Sequence, residues 1–261
     1  VQILSVTAET RTQRDSVVAM GLDIKTIRSG KAIIYASASE QQALKAAGFE
    51  IEVIGVQPDA DAVPTKELTG YHSFDDILAL LTTYAADYPG ICSLHTLGTS
   101  VQDRPILGLK ITDNPEIEED EPEVKIVGTI HGDEVVGTEM CLRLIDLLLS
   151  GYADDARLRN LVDEQEIWIV PVMNPDGFVH GTRTNASGYD LNRSFPEGSQ
   201  EAIGTVYTGP PMDLTGRPPE TTAMMEWSAI HSFVLSATLH TGSLVANYPY
   251  DNDGAGSRFS P

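Results

Sequence analysis

Apolar and polar positions alternate over VQILSVTA at the start of the chain, which predicts a strand. RTQRDSVVAMGL carries its apolar residues at helical spacing, with Gly21 placed to end the helix. DIKTIRSGKAIIYAS reads as two strands turning at Ser29-Gly30. SEQQALKAAG predicts a second helix, capped by Ser39 and stopped by Gly48, and FEIEVIG predicts a further strand. The Pro- and Asp-rich residues 57–66 read as a linker. Beyond it the pattern changes. FDDILALLTTYAADYP predicts a helix, with Ser73 as its cap and Pro89 at its end. ICSLHTLG and PILGLKI are strand candidates, followed by an acidic loop over residues 113–123. VKIVGTI and EIWIVPV are near-continuous apolar runs, the mark of strands buried on both faces. Between them EVVGTEMCLRLIDLLLS predicts a long helix that stops at Gly151. After a long polar loop come PPETTAMMEWSAIHSF, a helix with Pro at its start, and the strands VLSATLH and LVANYPY.

These elements imply two domains. Residues 1–56 have the order β-α-β-β-α-β, a ferredoxin-like α+β pattern. Residues 67–261 alternate strands with helices, which predicts an α/β unit built on a mixed, largely parallel sheet with helices on both faces. No internal repeat or low-complexity tract interrupts either domain.

Composition narrows the partners. The chain has 261 residues and 41% hydrophobic side chains, enough to bury a sizeable core. Its 38 acidic and 17 basic residues give a formal charge of −21, which argues against nucleic acid and anionic membrane surfaces, since both would be repelled. The acidic balance is compatible with a cationic substrate, although its plainer role is to keep the surface soluble. Cys92 and Cys141 are the two cysteines, and without a C-x-x-C pair thiolate metal sites are excluded. Cys141 lies in an apolar helical stretch and reads as a buried thiol, while one disulfide stays open. The sequence contains no apolar run long enough to span a membrane. VQILSVTAET lacks a basic region followed by an apolar one, so a secreted or periplasmic protein would already have lost its signal.

The candidate chemistry begins where VKIVGTI runs into His131-Gly132-Asp133-Glu134. Ligands of a parallel sheet sit beyond the carboxyl ends of its strands, and His131 is at such an end. Glu134 is expected to open the next helix, so the strand-to-helix turn lets imidazole and carboxylate converge on one ion. Catalytic zinc takes three such N and O ligands and keeps one position open. By itself H-x-x-E is weak evidence among six histidines. His240 adds weight because it ends a second strand, VLSATLH, expected to be buried. His72, His95 and His231 fit helix or strand patterns and read as structural or surface residues. His180 lies in the long loop and receives no role.

The loop NPDGFVHGTRTNASGYDLNRSFP, residues 174–196, is more specific. Together with HGDE and LHTGSLVANYPYD it resembles the zinc carboxypeptidases of the funnelin group, above all the branch of carboxypeptidases E, N, D and M. The resemblance covers residues 71–261, with Ser194 where that branch usually has Asn and Thr241 where it usually has Gly. It implies one Zn2+ per chain and peptide or protein C-termini as substrates. It implies that Asn192 and Arg193 bind the free α-carboxylate, a pairing for which a guanidinium is suited. It implies that Arg183 polarises the scissile carbonyl and stabilises the oxyanion. It places Asp190 behind His131, where a carboxylate can accept the outer ring N–H. It gives Asp251 to the side-chain pocket, where an acid favours Lys or Arg at the substrate C-terminus. Asp251-Asn252-Asp253-Gly254 is also strong turn chemistry.

Two family elements, the general-base glutamate and the capping tyrosine, are expected beyond Pro261, so the chain reads as lacking its C-terminal part or as associating with it as a separate chain. The small N-terminal unit invites comparison with the propeptides of the digestive branch, by analogy of fold alone; a spacer or accessory domain is the preferred reading. A murein peptidase or acyl-amide hydrolase of the same fold, and a zinc-containing peptide-binding module without catalysis, remain as alternatives.

Overall fold

A computed structural model describes residues 2–20, 22–56, 70–196, 214–242 and 246. The linker at 57–66, Gly21, most of LVANYPY and Asp251 lie outside these residues. The chain divides into two compact units.

The smaller unit runs β1 (Gln2–Thr7), α1 (Arg11–Ala19), β2 (Asp23–Arg28), β3 (Lys31–Ala36), α2 (Ala38–Ala46) and β4 (Ile51–Val56). Its sheet has the order β2-β3-β1-β4, antiparallel throughout. Ser29 and Gly30 turn the β2-β3 hairpin with φ of 51° and 76°, both left-handed, as the twist of a tight hairpin demands. Each helix starts in a capping box, Thr10 with Gln13 and Ser37 with Glu40. The cap of α2 is therefore Ser37 and not Ser39: only Ser37 stands three residues before a glutamate that reaches back to its backbone. Leu4, Val6, Val17, Ile34 and Leu44 meet in a fully buried core.

The larger unit contains α3 (Phe74–Asp87), β5 (Cys92–Thr99), β6 (Pro105–Ile111), β7 (Glu123–Gly128), α4 (Val136–Gly151), α5 (Ala156–Asp163), β8 (Glu166–Val170), α6 (Pro175–His180), α7 (Pro219–Ala229) and β9 (Phe233–Leu239). The sheet order is β5-β6-β8-β7-β9. It is mixed, as expected, but among the described strands parallel and antiparallel ladders are equal in number. β7 runs parallel to β8 and β9, whereas β6 is antiparallel to both β5 and β8.

β8 shows how the sheet is covered. All five of its residues are buried. Ile167 and Ile169 face one way, toward Ile77 and Leu81 of α3, Ile145 and Leu149 of α4 and Leu158 of α5. Trp168 and Val170 face the other way, toward Met224 and Trp227 of α7. That alternation is the period-two geometry of a strand between two helical layers. Each such side chain removed from water contributes about 1.5–3 kcal/mol. α5 had no counterpart among the sequence expectations. Its Asp155 cap accepts the backbone N–H of Arg157 and Leu158.

β9 corrects another expectation. It lies at the sheet edge, paired with β7 alone among the described strands, and Val234 and Leu235 are 71% and 60% exposed. Apolar composition marks a strand suited to burial but does not report what covers it. Cys92 and Cys141 are both buried and unpaired, so the open question of a disulfide closes. Among the described residues no helix is long and apolar enough to cross a membrane.

Candidate metal centre

β7 and β9 run parallel and deliver two histidines to the same end of the sheet. The chain leaves β7 through Thr129, whose φ of 50° is left-handed and uncommon for a β-branched residue. The Thr129 hydroxyl is held within hydrogen-bond distance of the Thr138 hydroxyl, 2.7 Å away, which braces this turn against α4. His131 follows two residues later. Glu134 lies in the turn itself, because α4 begins only at Val136, two residues beyond the expected start. His240 directly follows Leu239, the last residue of β9.

Donor atoms of His131, Glu134 and His240 all lie within 4.8 Å of one another. His131 and Glu134 are 2% and 3% exposed, whereas the His240 side chain is 37% exposed, so the cluster opens on one side. His131 Nε2 lies 3.1 Å from Asp190 Oδ1. The carboxylate can only accept, so Nε2 carries a proton, and in the neutral imidazole Nδ1 keeps its lone pair. That Nδ1 is buried, 3.2 Å from Glu134 Oε1, and makes no hydrogen bond. A buried lone pair facing a carboxylate is an unfavourable contact for a metal-free protein and a suitable one for a cation. His240 Nδ1 lies 2.9 Å from Glu134 Oε2, a contact that a proton must bridge or a metal ion replace. Two imidazoles and one carboxylate, with a solvent-facing side, fit the donor set of a catalytic zinc ion.

Asp190 also binds Arg183. The guanidinium donates from Nε and NH2 to Asp190 Oδ2 at 3.1 and 2.9 Å, and its NH1 lies 3.6 Å from Glu134 Oε1. Arg183 is 2% exposed. Burial by itself would raise the Asp190 carboxyl, but the hydrogen bond from His131 and the guanidinium charges of Arg183 and Arg193 outweigh it. The group is held well below the usual carboxylate range and stays ionised. Asn192 and Arg193 lie on a short 3-10 turn, Leu191–Arg193, with both side chains exposed. The Asn192 N–H donates to Asp190 Oδ1 at 2.9 Å, so one carboxylate positions the histidine, the buried arginine and the start of this turn. The structure thus brings together His131, Glu134, His240, Asp190 and Arg183, with Asn192 and Arg193 adjoining. Asp251 lies outside the described residues.

Several supporting residues escaped the sequence reading. Asn174 is fully buried and accepts the Gly177 N–H at 2.9 Å, capping α6. Its amide nitrogen donates to the carbonyls of Ile130 and Arg183, both at 3.3 Å, which ties the two loops together. Gly132 and Gly177 meet backbone to backbone: a Cβ on Gly132 would lie 2.0 Å from the Gly177 carbonyl carbon. The Asn-Pro pair at 174–175 is a cap-and-N1 signal and could have revealed α6. Asn185 donates to Glu220 Oε2 at 3.0 Å and accepts the N–H groups of Ser187 and Tyr189, anchoring the loop to α7. The other histidines have local partners: His72 with Glu139, His95 with Ser93, His180 with Gln102 and His231 with Glu123.

The sequence profile of the zinc carboxypeptidase family matches residues 77–260. Carboxypeptidase D of Anas platyrhynchos is 43% identical over 196 residues, an overlap of 71% of this chain and 13% of that protein. Carboxypeptidase M of Mus musculus is 41% identical over 192 residues, covering 70% of this chain and 41% of that protein. The chain therefore spans less than half the length of either. The crystal structure of carboxypeptidase A from Helicoverpa armigera superposes with a TM-score of 0.63 at 18% identity, over 92% of this chain and 69% of that one, a likeness of fold.

Proposed function

The chain belongs to the zinc carboxypeptidase family, and from that premise we propose that it acts as a metallocarboxypeptidase, hydrolysing the last peptide bond of a peptide or protein and releasing Lys or Arg. The observation that carries this reading is the buried His131–Glu134 pair facing His240, backed by the Asp190–Arg183 ion pair. His131, Glu134 and His240 hold the zinc. When bound, the ion supplies Lewis acidity toward water and the scissile carbonyl.

The protein's own groups orient and recognise. Asp190 holds the proton of the neutral imidazole on His131 Nε2, so the Nδ1 lone pair faces the metal position. Arg183 is fixed through two of its nitrogens by Asp190, and its role is to meet the negative charge that develops on the carbonyl oxygen. A prealigned guanidinium does this without reorganising at the moment of reaction. Asn192 and Arg193 receive the α-carboxylate of the substrate. Their exposure suits groups that must be reached from solvent. Asp251 selects a cationic side chain by charge and disfavours a large apolar one. Secretion or export to the periplasm is part of the same reading.

The test is a set of blocked dipeptides that differ only in the C-terminal residue, offered to the full-length protein. Metal analysis should find about one zinc per chain, and His131→Ala should abolish both metal and cleavage. Asp251→Ala should depress release of Lys and Arg far more than release of Leu. Equal losses would remove Asp251 from the pocket, and zinc-loaded protein that binds these peptides without cleaving them would leave a peptide-binding module.

A further inference from the structure

The other end of the same sheet carries a second group of carboxylates. Glu123 opens β7 and pairs in register with Glu166, which opens β8. The acidic loop that precedes β7 folds over this edge. Oxygen atoms of Asp113, Glu119 and Glu121 come within 4.8 Å of one another. Glu166 is fully buried beside them: its Oε1 accepts Lys110 Nζ at 2.7 Å and the Glu119 N–H at 3.3 Å.

The remaining oxygens are the informative ones. Asp113 Oδ1, Glu121 Oε2 and Glu166 Oε2 are all buried and have no hydrogen-bond partner. Glu121 shows the crowding, its carboxyl pushed up first by burial and then by the charges of Glu119, Asp113 and Glu166. Lys110 is also drawn to the Ile117 carbonyl, at 2.8 Å, and to Glu118, at 3.6 Å. One lysine cannot balance four carboxylates, and buried carboxylate oxygens without donors are costly.

We propose that Asp113, Glu119 and Glu121, with the buried Glu166 carboxylate beside them, hold a calcium ion that pins the loop of residues 112–122 to the starts of β7 and β8. The donors are oxygen alone, which favours a hard cation and contrasts with the histidines at the other end of β7. Calcium binds oxygen at 2.3–2.6 Å, so ligands on opposite sides of the ion stand roughly 4.6–5.2 Å apart. Oxygen atoms of Asp113, Glu119 and Glu121 within 4.8 Å of one another are close enough to share one such ion, and calcium's flexible coordination tolerates an irregular oxygen set better than the strict octahedron of magnesium does. The ion is structural: β7 separates it from His131, and none of its ligands touches the metal centre. The proposal is therefore independent of the peptidase reading.

Calcium titration of protein stripped with EGTA, freed of the chelator and then reloaded with zinc tests it, by calorimetry and thermal unfolding, with potassium at matched ionic strength as control. One ion should bind, and about a hundredfold excess over Kd should raise Tm by roughly 5–10 °C. Asp113→Asn and Glu121→Gln should each weaken calcium binding at least tenfold. Because each removes a repelling charge, calcium-free variants should melt no lower than the calcium-free parent, which separates loss of the site from loss of the fold. Absence of heat and of a Tm shift in the parent would overturn the proposal. So would a calcium effect undiminished in the double variant, since that would be screening of the acidic surface.

Discussion

Gly132 occupies its place because it has no side chain. A methyl group there would lie 2.0 Å from the carbonyl carbon of Gly177 and 2.4 Å from its Cα and oxygen. Ordinary contact begins at 3.4 Å, so the closest approach falls short by 1.4 Å. Neither backbone can yield cheaply. The Gly177 N–H is held by Asn174 at 2.9 Å, and the Gly132 N–H donates to the Arg183 carbonyl at 3.3 Å. Gly132→Ala should therefore cost about 3 kcal/mol, the upper end for overpacking, and lower Tm by roughly 6–12 °C. It should also act on the metal. Gly132 lies between His131 and Glu134, so parting the two turns reorients both ligands, and zinc affinity should fall roughly 10–100-fold. The assay pairs thermal unfolding with zinc titration against a competing chelator on the same preparation. Gly90→Ala is the control, because nothing lies within 4 Å of its added Cβ; it should change stability by less than about 0.5 kcal/mol. If Gly132→Ala melted within about 2 °C of the parent and bound zinc as tightly, the close packing of the two loops would not be what positions the ligands.

Other consequences are as direct. Asp190→Asn leaves a similar shape but weakens the hold on Arg183 and on the His131 tautomer, so zinc affinity should drop roughly 10–100-fold; equal zinc binding in a chelator competition would rule out that orienting role. Asn185→Ala removes the donor 3.0 Å from Oε2 of the buried Glu220 carboxylate, leaving only the Val101 N–H on Oε1 among the donors described, and should cost about 1–3 kcal/mol in denaturant unfolding. Burial pushes both the Cys92 and Cys141 thiols from 9.0 up to about 12. Both should resist alkylation at pH 8 in the folded protein and react once it is unfolded. Their linkage has a definite sign: between pH 9 and pH 12 the folded state keeps protons that the unfolded state has lost, so stability falls as pH rises, by about 1.4 kcal/mol per unit for each thiol. Replacing either cysteine with alanine should flatten the alkaline limb of a stability–pH curve.

Local signals in the sequence located most elements. Ser73, the Ser29-Gly30 hairpin and Pro at the start of α7 each act within a few residues of themselves, and each is found in the structure. The apolar runs of β7 and β8 located the buried centre of the sheet, since a strand covered on both faces has no polar positions to spare. His131 and Glu134 could be paired from sequence because a strand-to-helix turn brings residues three apart together whatever surrounds it. The placing of Ser39 as a cap and of Glu134 within a helix missed by two residues, because competing caps and turn ends differ by single hydrogen bonds.

Other features depended on the path of the whole chain. His240 was singled out because it ends a strand, but that this strand lies parallel and next to β7, and so brings His240 to His131, is a pairing between distant segments. Residues 113–121 read only as an acidic loop until β8 brought Glu166 beneath them. The exposure of β9, the meeting of Gly132 with Gly177 and the anchoring of Asn185 by Glu220 have the same origin. Hydrophobic period and capping residues record how a segment buries its own face and ends its own hydrogen bonds. They carry no information about which distant segment supplies the opposing face, and it is that opposing face which decides where a Cβ cannot fit, which carboxylate orients an imidazole and where buried charges gather.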